Sequence, residues 1–213
     1  AFFAGAITGR PFAVPAGVGL EGVRIGLPRV PDWSLASAAM RDAIERALLA
    51  IEARGARLVD LGADAALQAA WEVHATVQDH EAALALAWEL DTHEDRLPPL
   101  LATALRAARD IPVEAYDAAR GLANRARKRM AALFDRVDAL VLPAAPGAAP
   151  DMSSTGQALF NRLFTLTGDP AVAVPGLRAP DGAPLGLQVV GPFGHDERAL
   201  AIAAAIEDVI AGR

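Results

Sequence analysis

Two spacings of hydrophobic residues run through this chain, and together they predict a mixture of helices and strands. The apolar runs at 23–28 and 57–61 are short, which favours strands. Between them, apolar positions recur every three or four residues, which predicts a helix capped by Ser37 and ended at Gly55. The buried face of this helix is expected to hold Met40, Ile44, Leu48 and Ile51. A strand–helix–strand unit of this kind favours a crossover within a parallel or mixed sheet.

The rest of the chain also mixes helical and extended patterns, so the predicted fold class is α/β. Residues 64–136 are rich in alanine and are predicted to be helical, with breaks at Pro98-Pro99 and Ile111-Pro112 that give at least three helices. The later elements are predicted as a strand over 137–142 ended by Pro143, a short helix over 157–166, strands at 171–174 and 185–190 around an Asp181-Gly182 turn, and a helix over 196–211. Residues 1–22 are rich in glycine, proline and alanine and are expected to form a linker or loop.

Composition excludes several classes of partner. The chain has 213 residues, of which 53% are hydrophobic, so it can bury a packed core. Its net charge of −6 argues against a nucleic-acid partner, which needs clustered lysine and arginine. The chain has no cysteine, which excludes disulfides and thiolate metal sites. No uncharged apolar run approaches about 18–20 residues, so no membrane span is predicted. The lack of cysteine suits a reducing compartment, and we expect a cytoplasmic location.

No cofactor and no metal are predicted. The pair His80-Glu81 begins like a zinc-binding helix motif, but Leu84 stands where the second histidine would be needed. The groups around His74 and at 93–95 lack metal-binding spacing, and solvated helix faces are sufficient to explain them. The chain also lacks the glycine-rich loops that cradle nucleotides.

The most specific pattern in the chain lies at residues 159–175, LFNRLFTLTGDPAVAVP, and 182–191, GAPLGLQVVG. A helix that bears an asparagine is followed by Gly-x-Pro, a short strand ended by proline, and then Gly-x-Pro-x-Gly-x-Gln with a second strand. This order strongly resembles the C-terminal motif of the amidase-signature family. Weaker similarities at 23–28, 113–119 and 138–143 extend the resemblance, in order, over nearly the whole chain.

The resemblance implies a mixed sheet flanked by helices and an enzyme that hydrolyses carboxamides. In that family the chemistry belongs to a Ser–Ser–Lys triad, in which a second serine relays the proton of the nucleophilic serine to a neutral lysine. Backbone N–H groups of a glycine-rich loop then stabilise the oxyanion. Residues 23–213 would be the C-terminal part of such a domain, with a helical insertion at about 64–136.

The triad itself is not found in this chain. Its one lysine is Lys128, and its four serines are Ser34, Ser37, Ser153 and Ser154. Lys128 lies among arginines on a predicted helix and is expected to be solvated. Residues 153–156 are expected to form a loop and a helix N-cap. We therefore expect no catalytic residue here, and a missing N-terminal half that supplies both catalytic serines and the lysine.

Asn161, Phe164 and Thr165 are the candidate substrate-binding residues, because this helix approaches the substrate pocket in the resembled enzymes. Phe164 would give the pocket an apolar wall, and Asn161 would give it a polar orienting contact. The alternative is core packing for Phe164 and a helix or loop hydrogen bond for Asn161. Gln188 is expected to bind the backbone of a neighbouring loop.

Three functions stay open at this level. The first is a segment of an amidase for a small-molecule amide, inactive when isolated. The second is a non-catalytic module that pairs through an open strand edge with a separate catalytic half, or with another copy of the chain. The third is a part similar to the A subunit of a tRNA-dependent amidotransferase. An unrelated small-molecule-binding domain would require the match over 159–191 to be accidental.

Overall fold

The computed structural model describes residues 2–15 and 17–212 and confirms the α/β class. Within these ranges the strands are β1 (Arg24–Pro28), β2 (Arg57–Gly62), β3 (Ala139–Pro143), β4 (Ala171–Arg178) and β5 (Pro184–Val190). They form one sheet in the order β2-β1-β3-β5-β4. β1 runs parallel to both β2 and β3, whereas β5 runs antiparallel to β3 and to β4. The sheet is therefore mixed, as the family resemblance implies.

The crossover between β1 and β2 forms as the hydrophobic pattern predicts. Its helix begins at Ala38 because the Ser37 hydroxyl accepts a hydrogen bond from the backbone N–H of Met40. The predicted apolar face is buried in full. Gly55 follows the helix with φ of +88°, a backbone conformation that favours glycine.

Eight α-helices are present in the described ranges. Their bounds are α1 Phe2–Thr8, α2 Ala38–Ala53, α3 Ala65–Ala85, α4 Ala87–His93, α5 Pro99–Arg109, α6 Val113–Phe134, α7 Arg162–Thr167 and α8 Asp196–Ile210. The predicted breaks at Pro98-Pro99 and Ile111-Pro112 are confirmed, and a further break falls at Leu86. Part of the segment predicted as a linker or loop is helical instead, since Phe2–Thr8 form α1.

The predicted helix over 157–166 is wrong at its start, because α7 begins at Arg162. The carbonyl groups of Leu159 and Phe160 accept hydrogen bonds from the side chains of Trp71 and Gln188, and the chain turns there. Residues 153–156 are a loop, as predicted, but they do not cap α7, whose N-cap position is Asn161. β4 extends past the predicted end at 174, because a register shift carries it on to Arg178.

The helices form two groups around the sheet. α2 and α8 contact each other and the strands, whereas α3, α6 and α7 contact one another. Gln188 of β5 bonds to the backbone just before α7, so alternation along the strand turns Leu187 and Val189 away from that group. All five residues of β3 are buried. β3 is therefore the centre of the molecule, and its two ends are where the connecting loops meet.

Candidate functional site

The loop that follows β3 and the start of α7 meet at the C-terminal end of β3. In sheets of this kind, the carboxyl ends of parallel strands are the usual place for ligand binding. Ala144 continues the pairing with β5, since its N–H donates to the carbonyl of Gly186 at 3.0 Å. Asn161 lies directly before α7, and Phe164 and Thr165 lie on that helix.

Gln188 joins the end of β3 to the start of α7. Its side chain is 2% exposed. Its Nε2 donates to the carbonyl of Pro143 at 3.1 Å and to the carbonyl of Phe160 at 2.8 Å. Both amide hydrogens are thus used on backbone acceptors of neighbouring segments. The predicted backbone-binding role of Gln188 is confirmed.

Asn161 and Thr165 present an exposed polar face, whereas Phe164 does not. The Nδ2 of Asn161 donates to the carbonyl of Ala144 at 3.2 Å, which is the loop hydrogen bond of the alternative interpretation. The hydroxyl of Thr165 donates to the carbonyl of Asn161 at 3.1 Å, one helical turn earlier. Phe164 is 2% exposed and belongs to the main core. Its role as a pocket wall, like the substrate contacts of the other two, stays a prediction.

Trp71 on α3 is a part of this region that the sequence pattern did not reveal. Its Nε1 donates to the carbonyl of Leu159 at 2.7 Å. The guanidinium carbon of Arg162 lies over the Trp71 ring, 5.6 Å from the ring centroid. Trp71 is 88 residues from Leu159 in sequence, so no local spacing could have joined them.

The His80-Glu81 pair connects two helices and holds no metal-binding geometry. The His80 ring stacks on Tyr116 of α6, with 4.2 Å between centroids. The Tyr116 hydroxyl donates to Glu81 Oε1 at 2.9 Å, and this bond raises the pKa of Tyr116. Among the residues that the structure describes, no group of three or more histidine, aspartate or glutamate side chains could hold a metal ion.

A concave region lies at the opposite end of α7. It is a cleft of about 700 Å³ between α6, the end of α7 and residues 192–195, with Lys128 and His195 among its lining. Asp169 also lines the cleft; it is 9% exposed and accepts a hydrogen bond from the Thr167 hydroxyl at 2.6 Å. Burial raises the pKa of Asp169. No serine lines this cleft among the residues that the structure describes.

The described residues do not assemble a serine–lysine pair. Lys128 is exposed on α6, as predicted for a solvated basic face. Its side chain forms no hydrogen bond to any serine within the ranges 2–15 and 17–212. Ser37 caps α2, and Ser154 accepts a bond from Gly156 within its own loop. Over the same described part of the chain, no helix is both long and apolar enough to cross a membrane.

Comparisons with known proteins agree with this architecture. A family model described as Amidase matches residues 8–200. The 2-amino-5-chloromuconic acid deaminase of Comamonas testosteroni is 29% identical in an alignment 212 residues long, and the match covers 92% of this chain and 45% of that protein. The A subunit of a glutamyl-tRNA(Gln) amidotransferase from Maricaulis maris is 41% identical in an alignment 83 residues long, and the match covers 35% of this chain and 17% of that protein.

A solved structure gives the same result for the fold. The crystal structure of an amidase superposes with a TM-score of 0.84 at 25% identity, and the match covers 97% of this chain and 49% of that one. The deaminase and the amidase each match most of this chain, and in both cases the match spans about half of the longer relative.

Proposed function

The chain belongs to the amidase family, and we propose that it forms the substrate-facing scaffold of a carboxamide hydrolase. The observation that carries this proposal is the double hydrogen bond of Gln188 to Pro143 and Phe160. It fixes the start of α7 against the end of β3, so Asn161 and Thr165 are held in place before any ligand arrives. Preorganised polar groups of this kind orient a substrate at little entropic cost.

The proposed reaction breaks the C–N bond of an amide by Ser–Ser–Lys chemistry supplied from outside residues 1–213. A serine oxygen attacks the amide carbonyl, while its proton passes through the second serine to the neutral lysine. The tetrahedral oxyanion collapses, and the nitrogen leaves with that proton as ammonia or an amine. Water then cleaves the acyl-enzyme and gives the carboxylate. Lys128 is not a member of this triad in the proposal, because it is exposed and unconnected to serine within the described residues.

In this proposal Asn161 and Thr165 contact the substrate, and Phe164 supports the pocket wall from within. The Asn161 carboxamide has one donor engaged with Ala144, so its oxygen stays free to accept a hydrogen bond from a substrate N–H. The buried Phe164 ring fixes the position of the helix that carries both polar residues.

The test is an activity assay of the isolated chain and of a reconstituted pair. The chain alone, incubated with acetamide, butyramide and benzamide, is expected to release no ammonia above the uncatalysed rate. Mixing it with a separately produced segment encoded upstream of Ala1 should restore release. Turnover by the isolated chain that is abolished in Lys128→Ala would overturn the proposal. An upstream sequence without a Gly/Ser-rich loop and a lysine would also contradict it.

Two other functions have an observation in their favour. Similarity to the A subunit of an amidotransferase supports a role in releasing ammonia from glutamine within a larger assembly. Strands β2 and β4 flank the sheet, which supports a non-catalytic module that pairs through an edge. Glutamine-specific ammonia release by the reconstituted pair would favour the former. Pairing with a catalytic segment that is already fully active alone would favour the latter.

A further inference from the structure

Arg162, the first residue of α7, holds a positive charge that no acidic side chain neutralises among the described residues. Other arginines of this chain do meet carboxylates, as Arg24 does with Asp138 and Arg29 with Asp60. Arg162 has no ion pair and no side-chain hydrogen bond within the described part of the chain. Its guanidinium carbon lies over the face of Trp71, 5.6 Å from the ring centroid.

The Trp71 ring is a fixed support for this guanidinium. The indole Nε1 is bonded to the carbonyl of Leu159, and the ring packs against the main core. A cation over an aromatic face is attracted by the ring, yet this contact uses none of its N–H donors. The guanidinium of Arg162 is therefore held over the Trp71 ring, and its N–H donors form no hydrogen bond among the described residues.

His74 lies three residues after Trp71 on α3, and the charge of Arg162 affects its pKa. This imidazole is 7% exposed, so it is a buried group and the expectation of a solvated face is wrong for it. Burial lowers the pKa of His74, and the positive charge of Arg162 lowers it further, while Asp79 acts in the opposite direction. The charge of Arg162 thus acts on the buried imidazole of His74, where the charge of Asp79 opposes it.

The position of Arg162 joins it to the candidate site. It is adjacent to Asn161 and lies three residues before Thr165, a spacing that makes side chains neighbours on a helix. The start of α7, which Gln188 fixes against the end of β3, therefore carries one cationic fork and two neutral polar groups. A guanidinium matches a carboxylate through two parallel hydrogen bonds, which an amide or a hydroxyl cannot reproduce.

We infer that Arg162 binds a carboxylate of the substrate, so that the preferred substrates are amides bearing an acid group away from the scissile bond. This inference rests on the proposed function for its placement of substrate beside α7. It names the substrate class as monoamides of short dicarboxylic acids. Asn161 and Thr165 would then contact the amide end, and Arg162 would select the acid end.

The test compares two probes of equal length on the full chain. Succinamate carries an amide and a carboxylate, whereas butyramide carries the same amide and a methyl group. Binding is followed through the NMR signals of the His74 imidazole, because a carboxylate on Arg162 would cancel part of the charge that it feels. Succinamate should bind at least about tenfold more tightly than butyramide, and it should raise the pKa of His74.

Two variants make the result specific to the guanidinium. Arg162→Gln should lose the preference for succinamate and should raise the pKa of His74 in the absence of ligand. Arg46→Gln removes an exposed arginine from α2, in the other helical group, and should leave both results unchanged. Equal binding of the two probes, no binding of succinamate at millimolar concentration, or full retention of the preference in Arg162→Gln would each overturn the inference.

The readout separates this inference from the proposed function. Binding is measured without turnover, so failure of Arg162 to select the carboxylate leaves amide hydrolysis by the reconstituted pair intact. Conversely, absence of hydrolysis in that assay leaves the preference for succinamate measurable. Arg162→Lys keeps the charge but loses the fork, and it should retain the preference with several-fold weaker binding.

Discussion

The N-terminal end of β3 is held by charged side chains, whereas its C-terminal end is held by a neutral amide. At the first end, the carboxylate of Asp138 accepts the backbone N–H of Arg24 at 2.8 Å and its Nη2 at 3.1 Å. Arg198 of α8 donates to the same carboxylate at 2.6 Å. At the other end, Gln188 joins the backbone at Pro143 and Phe160 without any charge.

The two ends differ in this way because the side chains that hold them are buried to different degrees. The Asp138 side chain is 15% exposed at the rim of the sheet, while Gln188 is 2% exposed. Removing an ion from water costs several kcal/mol in effective terms, whereas an amide whose hydrogens are both bonded can be buried at small net cost. The sheet therefore uses charge where water reaches and a neutral side chain where it does not. The candidate site lies at the neutral end, so the hydrogen bonds of Gln188 that hold its backbone should not depend on pH.

The largest expected effect comes from removing the neutral connection. Gln188→Leu keeps the volume of the side chain but leaves two backbone carbonyls without their donor. We expect the free energy of unfolding to fall by about 2–4 kcal/mol, since each buried group left unsatisfied costs about 1–3 kcal/mol. Urea unfolding followed by circular dichroism measures this loss.

A matched control is Gln157→Leu, because Gln157 is exposed in the loop before α7. Its effect should stay within about 0.5 kcal/mol, as for most surface substitutions. If Gln188→Leu were equally mild, the connection between β3 and α7 would not depend on Gln188, and the contrast between the two ends would be lost.

The same contrast explains which features could be predicted from sequence. The start of α2 was predicted to the residue, because the Ser37 cap acts only three residues along the chain. The start of α7 was not, because it depends on Trp71 and Gln188, which are 88 and 28 residues from the carbonyls that they bind. A helix end that depends on a nearby cap can be predicted from sequence, whereas one that depends on contacts with distant segments cannot.

The candidate site divides in the same way. The motif over 159–191 was sufficient to indicate Asn161 and Thr165 as polar groups of one helix and to predict a structural role for Gln188. The motif gave no sign of Trp71, since that residue belongs to the alanine-rich helical region. The meeting of Arg162 with Trp71 depends on how α3 packs against α7, and a linear pattern carries no such information.

The charged end should show a pH dependence that the neutral end lacks. Hydrogen bonding from Arg24 holds the pKa of the Asp138 carboxyl below its ordinary value of 3.8. A carboxyl whose folded pKa is lowered stabilises the fold above its unfolded pKa, and that stability is lost as pH falls through the folded pKa. Asp138→Asn should therefore cost about 1–2 kcal/mol at neutral pH, after allowance for solvent screening.

The measurement is the difference in the free energy of unfolding between the two proteins as a function of pH. It should stay constant from about pH 7 to pH 5 and shrink below about pH 4. Asp42→Asn, at an exposed position on α2, should give no comparable loss. A difference that grew on acidification would contradict the assignment, and a similar trend in Gln188→Leu would remove the contrast.

The smallest effect is expected at Asn161, where a neutral hydrogen bond forms in an exposed position. Asn161→Ala removes the donor to the Ala144 carbonyl, and water can replace it, so the free energy of unfolding should fall by only about 0.5–1 kcal/mol. The decisive measurement is kcat/KM of the reconstituted pair for butyramide. If Asn161 orients the substrate, kcat/KM should fall by about tenfold or more, far beyond what the small loss of stability explains. If its function is only to fasten the loop after β3, kcat/KM per folded molecule should stay unchanged.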